Sequence, residues 1–309
     1  MSFCAASGNL NRRTGFVAGK HRASALMLVV ISLLMPWQMK AAGTWTALAH
    51  AAPATVQLML LLSDGTVMCS DGGGSTWHRL TPDIHGSYIN GTWSTLASMH
   101  DTRLYFSSDV VPDGRVVVAG GEYGTGGSTA EVYDPLSNTW TRTPVSGQDF
   151  VDSISKVIPN GSVLVSPVFP SQSGYTAIYN AVSNVWTLGP KLFRGSYQDE
   201  ASWVQLPDNS ILTIDPFGVN SERYIPSINT WINDGIVPVQ VYDPYGSEMG
   251  AGFMLPNGKA IFFGATGHNA LYTPTGNQNA GTWAAAPDFP NAQGTPDAAA
   301  AMIDRKSVV

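Results

Sequence analysis

The chain alternates short, β-rich apolar runs with tight polar turns. Around Asp113-Gly114, Val110, Val111 and Pro112 lead in and residues 115–118 lead out, the signal of a hairpin whose turn demands positive φ. Equivalent dipeptides recur at Asp64-Gly65, Asn160-Gly161, Asp208-Asn209 and Asn257-Gly258, and the five are spaced by 49, 47, 48 and 49 residues. A tryptophan recurs with them at Trp45, Trp93, Trp140, Trp186, Trp231 and Trp283. Tyr133, Tyr179 and Tyr224 each stand seven residues before one of these; the gap widens between Tyr272 and Trp283, and Leu80 takes the tyrosine's place in the first copy. One unit reads strand, Asx-Gly turn, strand, glycine pair, strand ending in Tyr, Pro-containing turn, strand with Trp. Four antiparallel strands in roughly 48 residues predict a propeller blade.

Composition agrees. Of 309 residues only 12% are charged, against roughly 25% in an ordinary globular protein. With 32 Gly, 20 Pro and 9 Trp, this excludes a helical bundle, a coiled coil and a disordered tail, and predicts an all-β chain. A buried indole removes about 150–250 Å² from water, worth on the order of 4–6 kcal/mol. Repetition of tryptophan at one blade position therefore assigns those six to packing between blades. Trp77 and Trp203 stand outside the pattern, and Trp203, just before a hairpin turn, is expected in the core.

Charge is unevenly placed. Five of the 16 bases (Arg12, Arg13, Lys20, Arg22, Lys40) lie in the first 40 residues and all 22 acids lie after residue 60, so the remainder carries a net charge of −11. That excludes a nucleic-acid partner, which needs a basic face. Residues 1–42 read as a secretory signal: a basic stretch, the apolar run 23–35, Pro36, then Ala41 and Ala42. The run is short for a membrane span of about 20 residues; Met39 and Lys40 make a poor cleavage site, so an uncleaved anchor is the alternative. Arg12-Arg13 is a weak match to a twin-arginine signal. Cys4 lies in this segment, which leaves Cys69 without an intramolecular disulfide partner and expected as a small buried residue.

The stretch DGRVVVAGGEYGTGGSTAEVYDPLSNTW, residues 113–140, resembles a kelch unit in its glycine pair Gly120-Gly121, Tyr133 and Trp140. Five copies share this order over residues 44 to about 300, although copies three to five lack the glycine pair. The resemblance, to bacterial secreted kelch-repeat proteins of the galactose oxidase-like propeller superfamily, implies an all-β, kelch-type β-propeller over residues 43–303. The phasing gives five complete four-stranded blades and an incomplete sixth. Residues 43–48 look like a fourth strand with nothing before it, and residues 298–303 like a first strand with almost nothing after it. Strand 43–48 is accordingly expected to complete the last blade of a ring truncated at its C-terminus, with the sixth turn due near residue 305. Residues 304–309 are expected to be a non-native tail, since DRKSVV is what the adapter codons GAT CGG AAG AGC GTC GTG encode.

Candidate chemistry falls in loops that join one blade's last strand to the next blade's first: residues 99–108, 147–155, 191–202 and 233–250. Eight residues before each turn stand Tyr105, Asp152, Glu200 and Met249; nine before stand Leu104, Val151, Asp199 and Glu248. With Asp101, Arg103, Arg194, Tyr197, Asp243 and Tyr245 these predict an acidic, tyrosine-rich mouth around the axis. Such a mouth suits Ca²⁺, a cationic ligand or a hydroxyl-rich sugar, and water-exposed loop acids are the plainer alternative. RLYFSS (residues 103–108), with Asp113-Gly114-Arg115-Val116 and Gly120-Gly121-Glu122-Tyr123, is similar to the radical-tyrosine stretch of copper radical oxidases. That resemblance puts Tyr105 at the radical tyrosine and Tyr123 at its stacking tryptophan. The cysteine such chemistry needs falls at Val56, with Cys69 on the other strand. The chain has no Tyr-His dipeptide, and His50, His78, His85, His100 and His268 lack metal-ligand spacing. His100 is expected to be a hydrogen-bonding residue. No nucleophile elbow, phosphate loop, HExxH or paired-cysteine metal site is present. The sequence therefore points to an exported binding or scaffolding module, with no catalytic residue or required cofactor, recognising a protein or carbohydrate at this mouth. Ca and Cu remain the metals considered, and a truncated copper radical oxidase is the alternative.

Overall fold

The computed structural model describes residues 45–300 except 167, 169–173 and 196. The expected signal, Cys4 and the tail 304–309 lie outside the described residues.

Each repeat starts from the same local chemistry. In the first hairpin Gly65 N donates to Leu62 O at 3.0 Å and Leu62 N to Thr66 O at 2.9 Å, a type I turn followed by one left-handed residue. All five hairpins repeat this pair of bonds. The left-handed position is held by Gly65, Gly114, Gly161, Asn209 and Gly258, at φ of 80, 87, 80, 65 and 81°. The preceding Asp or Asn accepts a bond from the backbone N–H two residues on, at 2.9 Å from Thr66, 3.1 Å from Arg115, 3.0 Å from Ser162, 3.0 Å from Ser210 and 3.1 Å from Lys259. That bond explains why an Asx residue leads every turn dipeptide.

Four strands follow in each blade. The first holds β1 (Val56–Leu61), β2 (Val67–Asp71), β3 (Trp77–Thr81) and β4 (Thr92–Thr95). After β5 (Arg103–Leu104), the second is built from β6 (Ser107–Val110), β7 (Val116–Ala119), β9 (Ala130–Asp134) and β10 (Thr139–Arg142), and β8 (Tyr123–Gly124) pairs with β5 as a separate ribbon. The third holds β11 (Ser155–Val157), β12 (Val163–Val165), β13 (Tyr175–Asn180) and β14 (Val185–Lys191). The fourth holds β15 (Trp203–Gln205), β16 (Ile211–Ile214), β17 (Asn220–Ile225) and β18 (Thr230–Ile236). The fifth holds β19 (Gly252–Met254), β20 (Ala260–Phe262), β21 (Asn269–Thr273) and β22 (Thr282–Ala286). Every four-stranded sheet is antiparallel, and its four strands are bonded in the order in which they follow one another in the blade. The first strands of successive blades, β1, β6, β11, β15 and β19, lie against one another. The first strands are thus innermost, and the loops ahead of them converge at one end of the axis.

Tyrosine and tryptophan meet as cross-strand partners: Tyr133 with Trp140, Tyr179 with Trp186, Tyr224 with Trp231 and Tyr272 with Trp283. Their ring centroids lie 5.1, 4.9, 5.6 and 5.0 Å apart. The tyrosine hydroxyl donates to an asparagine in the turn between the two strands, from Tyr133 to Asn138 at 2.9 Å, Tyr179 to Asn184 at 2.8 Å and Tyr224 to Asn229 at 3.0 Å. All three asparagines are left-handed, at φ of 52, 54 and 47°. The indole N–H then reaches back to the preceding repeat: Trp93 to His50 O at 3.1 Å, Trp140 to Ala97 O at 2.9 Å and Trp186 to Thr143 Oγ1 at 3.0 Å. These bonds, with that of Trp283 to Ser221 Oγ at 2.8 Å, serve the expected inter-blade role, whereas the Trp231 N–H has no partner among the described residues and Trp45, 97% exposed, does not pack between blades. Trp203 is buried, as expected of a core residue, and so is Trp77. Cys69 is buried too, and burial pushes its thiol up to about 11. The glycine pair has a steric cause: Gly120, at φ 83°, would bring a Cβ to 1.8 Å from Phe150 O in the next loop.

Neither of the two expected end strands is formed among the described residues. Of residues 43–48 the described part, 45–48, is irregular chain with no sheet partner, and residues 298–300 are likewise not in a strand. A strand needs a neighbour to satisfy its ladder, and neither segment has one among the described residues.

Asn138 Oδ1 accepts from both Tyr133 Oη and Ala97 N, the latter at 3.0 Å. Asn138→Gly keeps the left-handed backbone but loses both bonds, and is expected to destabilise by about 1–3 kcal/mol. Asn138→Ala adds roughly 1 kcal/mol of backbone strain. Urea unfolding checks the order; two variants as stable as the native chain would show that the turn does not tie the blades.

Candidate functional site at the axial mouth

The loops that precede the innermost strands enclose a cavity of about 360 Å³. Tyr105, Asp152, Glu200, Met249 and Asp297 line it together with Ser153, Ser202 and the first residues of β6 and β11, Ser107, Ser155 and Lys156 among them. Tyr105, Asp152 and Glu200 adopt left-handed backbone at φ of 52, 49 and 49°. The same sharp turn recurs at the same repeat position, delivering each side chain to the wall. Asp297 shares it, at φ 48°. It stands eight residues before the sixth turn expected near 305, so the spacing rule could have found it; with no turn dipeptide present to count from, it was missed.

The mouth gathers carboxylates without bases to match. Oxygens of Glu200, Glu248 and Asp297 lie within 4.8 Å of one another. Burial pushes the Asp152 carboxyl up to about 7, with Glu122, Asp199 and Asp297 adding like-charge repulsion. Burial also pushes Glu200 up, to about 8, reinforced by Asp297, Glu248, Asp152 and Asp199. Asp199, Glu248 and Asp297 are raised for the same two reasons, burial first and neighbouring acids second. Lys156 is the single base among the described lining residues, and its charge acts on Asp109, which also accepts a hydrogen bond from Ser155. At the rim Tyr105 and Tyr123 meet edge to face with centroids 6.2 Å apart, and both are about half exposed.

The remaining expected residues are elsewhere. Arg103 is fully buried. Its guanidinium donates to Gly120 O, Gly126 O and Thr129 O at 2.7, 2.7 and 2.9 Å, to Thr129 Oγ1 at 2.8 Å and to Glu131 Oε1 at 3.0 Å. It is a clasp within the second blade, with no donor directed at a ligand in the mouth. Asp101 belongs to the same network, bonded to Arg142, Thr125 and Thr129. His100 is the hydrogen-bonding residue expected, donating its backbone N–H to Glu131 and lying 2.7 Å from it through Nδ1. Arg194 is exposed and donates to Asn233 at 3.1 Å. Tyr197 packs edge to face on Phe217 at 5.2 Å, and Tyr245 is exposed on a turn whose N–H groups Asp243 accepts. None of these three lines the cavity. Glu122 and Ser153 were also missed, since neither stands at the repeated position.

Comparison with known proteins agrees with this architecture. A family model described as the kelch motif matches residues 103–144. The chain is 29% identical over 162 residues to spermatocyte protein spe-26 of Caenorhabditis elegans, covering 49% of this chain and 27% of that protein. It is 27% identical over 168 residues to an F-box/kelch-repeat protein of Arabidopsis thaliana, covering 52% and 43%. The chain thus spans less than half the length of these relatives. Among solved structures it resembles a fungal alcohol oxidase of the AA5 family in complex with copper, with TM-score 0.57, 15% identity and coverage of 76% of this chain and 54% of that one. It also resembles YjhT, with TM-score 0.52, 16% identity and coverage of 66% and 69%. Identities this low speak to fold alone. Blades, repeat and likenesses together define a kelch-type β-propeller.

The acids make stability depend on pH. In the unfolded chain they ionise near pH 4, in the folded one Asp152 and Glu200 near 7 and 8. Between those values the folded state binds more protons, so stability falls as pH rises from about 5 to 8. Glu200→Gln removes part of that cost and is expected to raise the melting temperature at pH 8 by roughly 2–4 °C, and by less at pH 5. A variant that melts lower than the native chain at pH 8 would contradict the cause assigned here.

Proposed function

We propose that the chain is an exported kelch-type propeller that acts as a binding module, its ligand, protein or carbohydrate, docking at the acidic axial mouth through positive charge or hydroxyl groups. The observation that carries this reading is the convergence of Tyr105, Asp152, Glu200 and Asp297, from one repeated backbone turn, on a single cavity. Packing alone gives no reason to collect raised-pKa carboxyls in one place. Their repulsion is relieved when a cation or a set of hydroxyl donors enters. Export rests on the basic-then-apolar pattern of residues 1–42; no helix among the described residues is long and apolar enough to cross a membrane.

A copper oxidase is the second reading, favoured by the likeness to the AA5 alcohol oxidase. The donor set is unsuited to it. Among the described residues the wall offers carboxylates, hydroxyls and Tyr105 but no histidine, and imidazole is the ligand that suits copper. His50 and His268 hydrogen-bond to Gly91 O and Asp288 instead. The Glu200–Glu248–Asp297 carboxylates fit a hard, oxygen-seeking cation such as Ca²⁺ better.

Two measurements test the reading. Cations are expected to raise the melting temperature of the native protein at pH 8 and to lose that effect in Glu200→Gln/Asp297→Asn; a native protein indifferent to every cation and sugar tried sinks it. Sequencing the N-terminus of protein secreted by an expressing host is expected to show loss of the first 42 residues or so, and retention inside the cell would contradict export.

A further inference from the structure

The two faces of the first blade's sheet differ. Leu58, Leu60, Met68 and Trp77 turn towards the second blade and pack with Val116, Val118 and Trp140. Side chains alternate along a strand, and directly opposed residues of antiparallel neighbours share a face. Met59, Cys69 and His78 therefore project from the other face, in one row across three strands: Met59 of β1 is the register partner of Cys69 on β2, and Cys69 that of His78 on β3. Neither Met59 nor Cys69 belongs to the apolar clusters that join one blade to the next. His78 stands nine residues after Cys69, so hairpin register, not sequence spacing, pairs them. The histidine is 6% exposed, and neither Nδ1 nor Nε2 has a hydrogen-bond partner among the described residues. Buried polar groups are nearly always partnered, and an imidazole lone pair that accepts no hydrogen bond is free to take a metal ion. The thiol opposite is held no better: its contact with Val67 O, on its own strand, is long at 4.0 Å. Burial pushes that thiol up to about 11, so its sulfur ionises only with a cation beside it. Thioether, thiol and imidazole are soft donors, which select Cu(I) over hard cations. Met59 is 67% exposed and leaves the row open to solvent at its β1 end.

We propose that Met59, Cys69 and His78 bind one Cu(I) ion on the face of the first blade turned away from the second. The cysteine sulfur and one imidazole nitrogen are the principal ligands, and the Met59 thioether is the third and weaker one. Binding replaces the S–H bond of Cys69 by a sulfur–copper bond and sends the proton to solvent, while copper keeps its oxidation state. The site shares no residue with the axial mouth, whose oxygen donors suit a harder ion, and it stands or falls independently of that reading.

Anaerobic competition of the full chain against the Cu(I)–bicinchoninate complex tests the site. The native protein is expected to withdraw one equivalent of Cu(I), and so is Cys4→Ser, since Cys4 has no place in the row. Cys69→Ala and His78→Leu should withdraw none. Met59→Leu, a change at an exposed side chain, should weaken Cu(I) by about tenfold, the loss of one weakly held thioether. Should Cys69→Ala fail to fold, His78→Leu and Met59→Leu carry the comparison, because the first removes a polar group with no hydrogen bond to lose and the second leaves the buried sheet untouched. A native protein that leaves the copper with bicinchoninate overturns the proposal. Equal withdrawal by the native chain, His78→Leu and Met59→Leu overturns it too. Retention of ZnCl₂ by a chain that takes no Cu(I) overturns the assignment to a soft monovalent ion.

Discussion

The interaction on which the structure depends is the backward reach of the outer-strand indoles of Trp93, Trp140, Trp186 and Trp283 to the repeat before them. Sheets in a propeller share no backbone ladder with their neighbours, so blade-to-blade order must come from side chains. Trp93, Trp140 and Trp186 each place an N–H on an acceptor 43 residues earlier, and for Trp140 and Trp186 the paired tyrosine holds the indole against its own sheet. Asn138 ties the system from the other side by taking the N–H of the same Ala97 whose carbonyl Trp140 uses. One residue of the chain between blades is thereby fixed through both its backbone groups. The axial mouth inherits that precision, because no two of Tyr105, Asp152, Glu200 and Asp297 lie in the same repeat.

Where the repeat weakens, the substitutes are informative. Trp231 keeps its tyrosine contact, but its indole N–H is buried without a partner among the described residues. In the fifth blade the longer turn between Tyr272 and Trp283 has no equivalent asparagine, and Tyr272 Oη donates to Asp234 of the fourth blade at 2.5 Å. Asp234 also pairs with the buried Arg223 at 2.8 Å, and Arg223 donates to Asn277 O and Asn279 O within the inserted turn. A buried charge network replaces the asparagine turn there. Such pairs gain little over apolar packing but are costly to break singly, so they specify the junction more than they stabilise it.

This distinction explains what was legible in the sequence. The five turns, the Tyr–Trp pairs and the blade count depend on local chemistry that repeats with the chain, and spacing reveals them. The three left-handed mouth residues also fell on the repeat, and Asp297 would have followed from the same subtraction. Arg103, Asp101 and Tyr245 did not separate from them, because a loop charge bound for the interior and one bound for the mouth look alike until Gly120, Gly126 and Thr129 are seen to surround the guanidinium. Glu122, which acts on the mouth acids through space, lies outside the repeated position and offered no periodic signal.

The contrast between two buried glutamates sharpens the reading of the mouth. Glu131 and Glu222 both stand two residues before the tyrosine of their blades. Burial alone would raise Glu131, but the N–H of His100 and the guanidinium of Arg103 outweigh it and hold its carboxyl below the usual range. At the position equivalent to Arg103, two residues before the left-handed residue, the fourth blade has Gln198. Glu222 accepts Phe193 N at 2.6 Å through one oxygen, but its other oxygen is unpartnered among the described residues, and burial pushes it up to about 7. The fold thus has a means of neutralising a buried acid, an arginine two residues ahead of the left-handed turn, and applies it in the second blade. In the mouth it applies none: Asp152, Glu200 and Asp297 line one cavity, and the charge of Lys156 acts on Asp109. Acids left unpaired in a scaffold that can pair them are a cost to folding, and the concentration of that cost at the axial mouth is the contrast on which the proposed binding role rests.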